Sequence, residues 1–171
     1  RAALLQRAET CLAAVHDFRA KPPVVRGASD LAAAEQECAQ RCDALFAALM
    51  GALAQGALDS AAVSAQAHTL ARSAPKRLKA AEGRQVNVQF QRGKPVPLRA
   101  TYYRRRHGDA QHREKGLFPA FVVLGIHEHA SPAASAQMAR SACAVASLEE
   151  AAAWLRDTGG LEVDIKTLRR V

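Results

Sequence analysis

The sequence contains basic side chains close to aromatic ones, and the types and spacing of these residues are typical of phosphate binding. Arg92 and Lys94 flank a glycine, Arg99 follows, and three arginines come directly after Tyr102 and Tyr103. Guanidinium groups bind phosphate oxygens in pairs, and tyrosines stack or donate hydrogen bonds. We assign Tyr102 to an apolar core. The candidate DNA-binding residues here are Arg92, Lys94, Arg99, Arg104, Arg105 and Arg106.

The net charge of +8 is concentrated in one segment of the chain. Residues 72–115 contain 13 Lys and Arg against three acidic residues, whereas the rest contains 11 against 13. A clustered excess of this kind is typical of polyanion binding. The alternative is a solvated charged surface, but that alternative explains the clustering poorly.

A second basic group lies in the last predicted helix. Three short helices joined by a capping junction and a glycine turn form a helix-turn-helix outline, whose last helix enters the major groove. A plain three-helix bundle shows the same pattern, so the pattern alone leaves both open. The candidate DNA-binding residues of this helix are Lys166, Thr167, Arg169 and Arg170.

Cysteine and histidine spacings do not predict a metal site. Cys38 and Cys42 lie four residues apart, which is either half a metal site or a pair of small apolar core residues, and we favour the core. The sequence His127-Glu128-His129 resembles a metal-binding fragment but lacks the spacing of a known motif. No phosphate-binding loop or nucleophile elbow is present. We therefore expect no cofactor and no catalysis.

The N-terminal region reads as three helices. Apolar residues recur at helical spacing over residues 2–19, and two prolines follow. A long helix, capped by Ser29 or Asp30, is predicted to reach Gln55 and to stop at Gly56. It pairs either with the first helix, which we prefer, or with a second chain. Asp59 or Ser60 caps a third helix through Ser73.

A β-hairpin is predicted after a basic linker at residues 76–83. Apolar residues alternate on both sides of the turn Arg92-Gly93-Lys94. A three-residue loop places Phe90 opposite Val96, and by the same register Val88 opposite Leu98 and Val86 opposite Ala100.

The C-terminal region reads as an exposed loop at 107–116, an apolar run at 117–126 and then helices. Periodicity does not decide whether the run is helix or strand. Ser131-Pro132 begins a helix to about Ala146 and Ser147 begins another to about Asp157. Asp164 caps the last segment, 165–171.

Together these elements predict a mainly α fold with one β-hairpin. The expected regions are 1–75 helical, 76–116 basic linker and hairpin, and 117–171 helix-turn-helix-like and truncated. No apolar run is long enough for a membrane span, and the composition fits a reducing cytoplasm. Because the first residue is Arg1 and no signal segment follows it, we expect an internal fragment of a larger protein or a processed product.

Three segments in this order resemble the region upstream of the catalytic domain in bacterial insertion-sequence transposases with a DDE-type nuclease core. They are VNVQFQRGKPVPLRATYYRRR, KGLFPAFVVLGIHEHASPAASAQMAR and SLEEAAAWLRDTGGLEVDIKTLRRV. The family has a basic hairpin, a Pro-containing apolar segment, helices opened by Ser-Pro, and a helix of the form V-x-x-K-T-V-R-R. Here residues 163–171 read VDIKTLRRV. The resemblance covers about residues 84–171.

The resemblance implies a bacterial, nucleoid-associated protein that binds double-stranded DNA at transposon ends. The catalytic carboxylates of the family come after this region, so divalent metal belongs to the missing domain. Some relatives carry cysteines after the tyrosines, whereas this chain has arginines there, so no metal is carried over. The alternative function is a helical dimerisation module, a homodimer with a basic surface for RNA or an acidic protein.

Overall fold

The computed structural model describes residues 1–74, 78–105 and 116–170, which are mostly helical with a single two-stranded antiparallel sheet. The predicted fold class is therefore confirmed. In chain order the elements are α1 (Ala2–Ala20), α2 (Ala28–Leu58), α3 (Ala61–Ser73), β1 (Leu78–Val88), β2 (Val96–Arg105), α4 (Pro119–Val123), α5 (Pro132–Ala144), α6 (Leu148–Gly159) and α7 (Ile165–Leu168).

Helices α1 and α2 pack against each other as an antiparallel pair, which is the arrangement we preferred from the sequence. Leu4 and Ala8 of α1 are buried. Near the other end of the pair, the Arg41 guanidinium donates to the Ala14 carbonyl at 2.7 Å and lies 5.4 Å from the centre of the Phe18 ring. The two helices therefore form one layer.

Helix α2 is longer than predicted at both ends. Gly27 is its N-cap, and the Asp30 carboxylate accepts from the backbone N–H of Arg26 at 2.9 Å. Gly56 lies inside the helix and does not end it. The helix continues because Gln55 and Leu58 are buried against other elements, and this packing outweighs the low helix propensity of glycine.

Four helix starts follow the predicted capping chemistry. In each, a side-chain oxygen accepts a hydrogen bond from the backbone N–H three residues later, which satisfies an otherwise unpaired donor. Helix α5 ends at Ala144, slightly earlier than predicted, and α6 continues to Gly159 before Gly160 adopts φ +62°. The confirmed caps are Ser60, Ser131, Ser147 and Asp164.

The hairpin has a different register from the predicted one. Val88 lies opposite Val96 and Val86 opposite Leu98, which is a shift of two residues. A two-residue shift leaves each side chain on the same face of the sheet, so the predicted apolar side chains still share one face. The connection is not a three-residue loop but runs from Gln89 to Pro95, because Gln89 pairs with another part of the chain.

Strand β1 also begins earlier than predicted, at Leu78, so most of the predicted linker is strand. The register slips between Ala80 and Gly83, where β1 has a bulge. The predicted loop at 107–116 lies outside the described residues except for Gly116. The apolar run at 117–126, left open by its periodicity, contains the short helix α4.

Two clusters of buried apolar residues form the core. The first joins α1, α2, the hairpin and α4, with Val88, Val96 and Leu98 fully buried, while the second joins α5, α6 and α7. Gln89 links them, since its N–H donates to His129 O at 2.7 Å and its carbonyl accepts from Ser131 N at 2.9 Å.

Among the described residues, no helix is by itself both long and apolar enough to cross a bilayer. Helices α2 and α3 meet the length and composition limits only together, and they are bent by 64°.

Candidate nucleic-acid interface

A stripe of residues on α2 positions the hairpin. Asp43, Ala47, Gly51 and Gln55 recur every four residues and therefore share one helix face. A Cβ on Gly51 would lie 2.5 Å from the Val96 side chain. The backbone of α2 thus approaches β2 closely only because this position carries no side chain.

The Gln55 side chain holds the free edge of β2. It is 6% exposed, its Oε1 accepts from the Arg99 N–H at 2.8 Å, and its Nε2 donates to the Arg99 carbonyl at 3.1 Å. The same Nε2 donates to Asp59 Oδ1 at 2.9 Å. One carboxamide therefore takes the place of a neighbouring strand and fixes the hairpin to α2.

The opposite half of the hairpin carries cations on one face. Residues directly opposite each other in an antiparallel pair share a face, and Lys79 lies opposite Arg104 and Arg84 opposite Ala100. These positions continue the face that is buried nearer the tip. Lys79, Arg84 and Arg104 are exposed, and we call them the basic end of the hairpin.

Tyr102 gives the basic end an aromatic base. The Arg84 guanidinium lies 4.2 Å from the centre of the Tyr102 ring, and that ring packs on Phe118 with 5.0 Å between centroids. Gly116 donates its N–H to the Tyr102 hydroxyl, and a Cβ there would overlap the ring. Tyr102 is thus partly buried, as predicted, and it also orients a cation.

The Lys79–Arg104 pair has consequences for electrostatics. Like charges directly opposite each other in a sheet destabilise it unless an anion is nearby. Arg105 is the last residue of β2, and Arg106 lies outside the described residues. Of the nominated hairpin residues, Arg104 is thus the one that the described structure groups with other cations.

Arg99 lies on the opposite face of the hairpin from Arg104. Its side chain is exposed and crosses β1 at Gly83, where a Cβ would lie 3.0 Å from the Arg99 Nε. The structure therefore separates two residues that the sequence placed in one group.

The tip residues Arg92 and Lys94 are far from the basic end. Val88 lies nine positions after Lys79 along β1, or about 30 Å at the usual rise per residue. Arg92 Nε pairs with Asp43 Oδ1 at 2.6 Å, and Gly93, at φ +76°, packs on the α2 backbone. The cleft beside the tip, of about 800 Å³, is lined by charges of both signs: Arg7, Arg92, Lys94 and Arg156 with Glu35, Asp43, Asp157 and Glu162.

Helix α7 is a single turn and shorter than predicted. Asp164 accepts from the Thr167 N–H at 2.6 Å, and this hydrogen bond holds the pKa of the Asp164 carboxyl below its ordinary value. Leu168 is buried, whereas Lys166 and Arg169 are exposed and three residues apart. These two cations therefore lie on one side of the turn.

Arg170 is held by an ion pair, with its Nη1 3.1 Å from Glu128 Oε2. Glu128 and His129 form a two-residue turn in which both have positive φ, 44° and 65°. Neither is glycine, so this conformation is strained. The turn is closed by hydrogen bonds between His127 and Ala130 and held by Gln89.

The cysteine prediction is wrong. Cys38 and Cys42 are exposed and are not core residues, because α1 and the hairpin cover other faces of α2. Partial desolvation, followed by the nearby Cys38 thiol, raises the pKa of the Cys42 thiol above its ordinary value. Within the described ranges, no three potential metal-ligating side chains lie together.

Three residues that matter for this surface were missed from the sequence. Lys79 was assigned to a linker, Arg84 was not nominated, and Gln55 was taken as a helix end. The recurrence of small or polar residues at 43, 47, 51 and 55 was a signal that α2 faces a backbone there. The pairing of Lys79 with Arg104 had no comparable signal, because it depends on the bulge.

The three kinds of comparison with known proteins agree with one another. No protein-family model, curated protein or solved structure matches the chain.

Proposed function

We propose that the chain binds double-stranded DNA through the basic end of the hairpin, with α7 as a second contact. The carrying observation is that Lys79 and Arg104 lie directly opposite each other, with Arg84 on the same face. A cation pair of this kind is relieved by a phosphate placed between its members. The ribbon shape also suits a groove or a phosphate track.

The finer proposal is the end-recognising region of a DDE-type transposase, without catalysis of its own. The order of hairpin, Ser-Pro helix and basic last turn supports it. In this proposal the hairpin supplies affinity that does not depend on sequence, and Lys166 with Arg169 supplies sequence preference. Arg170 contributes only after it leaves Glu128.

Binding to a duplex of arbitrary sequence, measured by fluorescence anisotropy at several salt concentrations, tests the proposal. Six phosphate contacts predict a slope of about −5 for the logarithm of affinity against the logarithm of salt concentration. Lys79→Ala with Arg104→Ala removes two cations that bind phosphate, so the slope becomes shallower by about 2. No binding at low salt, or a slope near zero, contradicts the proposal.

The matched control is Arg19→Ala with Arg26→Ala. This pair removes the same charge from exposed positions on α1 and the α1–α2 connection. Its slope should stay close to that of the unchanged protein. An equal loss in both pairs would mean that net charge alone drives binding. A duplex RNA competitor that displaces DNA at equal concentration would favour the RNA-binding alternative.

A further inference from the structure

The α1–α2 layer has an apolar face that the described chain does not cover. Leu31, Leu49 and Leu53 of α2 are 50%, 52% and 68% exposed, and Leu5 and Leu12 of α1 are 44% and 45% exposed. Cys38 and Cys42 are exposed on α2 between these leucines. We call these seven residues the outer face.

Helix geometry places the five α2 residues together. At 100° per residue, positions 31, 38, 42, 49 and 53 fall within an arc of about 60°. The hairpin contacts a different arc, that of Gly51 and Gln55. Among the α2 residues that lie within this arc, Glu35 is the one charged residue.

The α1 leucines lie on the same side of the layer. Leu5 directly follows buried Leu4, just as Leu49 directly follows buried Ala48. In two antiparallel helices, the residue that follows a contact residue lies on the same side of the pair in both helices. The outer face therefore runs across both helices.

The spacing on α2 is symmetric about position 40. Leu31 lies seven residues before Cys38, Cys42 lies four after it, and Leu49 lies seven after Cys42. A two-fold contact pairs residue i with j and j with i. An antiparallel contact centred at position 40 therefore places Leu31 opposite Leu49 of a second copy and Cys38 opposite Cys42 of that copy.

The outer face is the size of a small dimer interface. Residues 31–53 of α2 span about 33 Å and residues 5–12 of α1 about 10 Å, each about 10 Å wide. Their combined face is roughly 430 Å² per copy, or about 860 Å² for the pair, at the small end of protein–protein interfaces. The small Cys and Ala side chains along α2 allow close helix approach.

We infer that the outer face is covered by the same face of a second copy of this chain. The contact is two-fold and antiparallel, and it stacks the α1–α2 layers of the two copies into a four-helix bundle. It leaves the basic end of both hairpins outside the interface. Dimer formation and DNA binding are therefore separately measurable.

Sedimentation equilibrium of the full chain in reducing buffer tests the dimer. The expected mass is twice that of the chain, falling to a single chain in Leu31→Asp with Leu49→Asp. Trp154→Asp is the matched control, because Trp154 is also large, apolar and 45% exposed but lies on α6. Circular dichroism checks that each variant stays helical. A monomeric unchanged protein overturns the inference, and if that monomer floats with phosphatidylcholine vesicles the face belongs to lipid.

Disulfide cross-linking tests the register and does not depend on a destabilising variant. Cys11→Ala and Cys143→Ala are placed in every protein, and Cys38→Ser or Cys42→Ser then leaves one thiol on α2. Diamide takes one hydrogen from each of two thiols, and an S–S bond forms between them. Mixing the two proteins should give a cross-linked dimer at least tenfold faster than either protein alone. Equal rates for each protein alone and for the mixture overturn the register.

Discussion

The hairpin and α7 carry the same kinds of cationic side chain but differ in how the fold supports them. Near its tip the hairpin is fixed by the first core, by Gln55 along one edge and by close approach at Gly51. Its basic end is held by backbone hydrogen bonds between Tyr103 and Leu117 and by packing of Tyr102 on Phe118. Helix α7 is one turn, held by buried Leu168, by the Asp164 cap and by an ion pair whose partners are each 52% exposed. Exposed pairs of this kind contribute about 0–1 kcal/mol.

This difference separates two ways of presenting charge. In the proposed DNA complex, cations on a fixed ribbon need little further ordering of the backbone to contact phosphate, and phosphate contacts carry no sequence information. Helix α7 is a single turn held by few contacts, so its side chains can adjust to the edges of bases, but ordering them on binding costs free energy. The hairpin thus suits affinity, and α7 suits discrimination.

The largest expected effect comes from removing the Gln55 carboxamide. Gln55→Leu keeps the side-chain volume but leaves the Arg99 N–H and carbonyl without their partner. Unsatisfied buried groups cost about 1–3 kcal/mol each, so losing the partner of these two groups should lower the free energy of unfolding by about 2–6 kcal/mol. Urea denaturation measures this fall.

The control for that change is Gln85→Leu. Gln85 lies opposite Arg99 in the hairpin and is exposed, so its replacement should change stability by no more than about 0.5 kcal/mol. If both variants lose equal stability, the hairpin is not fixed by its edge, and the comparison with α7 fails.

A smaller effect is expected on DNA discrimination. Lys166→Ala with Arg169→Ala should reduce the preference for duplexes selected from a random pool over unselected duplexes. Each bidentate hydrogen-bonded contact between a side chain and a base that is lost should lower this preference by about 1–3 kcal/mol. Lys79→Ala with Arg104→Ala should weaken selected and random duplexes equally. Competition binding with both duplexes measures the ratio. The reverse result would assign specificity to the hairpin.

Local rules predicted four helix starts but not the start of α2, which Gly27 caps in place of Ser29 or Asp30. The register of the hairpin depends on distant pairing and was predicted wrongly. Ser60, Ser131, Ser147 and Asp164 cap helices through bonds within three residues, so sequence was enough. The hairpin connection was wrong because Gln89 pairs with residues some 40 positions later. No local pattern contains that partner.

The candidate site shows the same division. Arg104 was predicted from the sequence as a DNA-binding residue, and that role stays a prediction. Its neighbours Lys79 and Arg84 in the basic end depend on how β1 extends past the bulge. Cys38 and Cys42 were correctly placed on one helix face. Periodicity alone does not say which face is covered by neighbouring elements, so their exposure needed the tertiary structure.

The smallest effect expected is a local response of α7 to acid. The folded-state pKa of Asp164 is lowered by its hydrogen bond with Thr167, so the cap stabilises α7 above the unfolded-state pKa of about 4. That contribution is lost as pH falls through the lowered folded-state pKa. The Thr167 amide should therefore shift in NMR spectra at acid pH, while the Leu98 amide in the hairpin should not shift with it. Asp164→Asn keeps a capping oxygen but does not titrate, so its Thr167 amide should stay constant over the same range. If Leu98 shifts together with Thr167, the two regions unfold as one and the difference in support between them is not real.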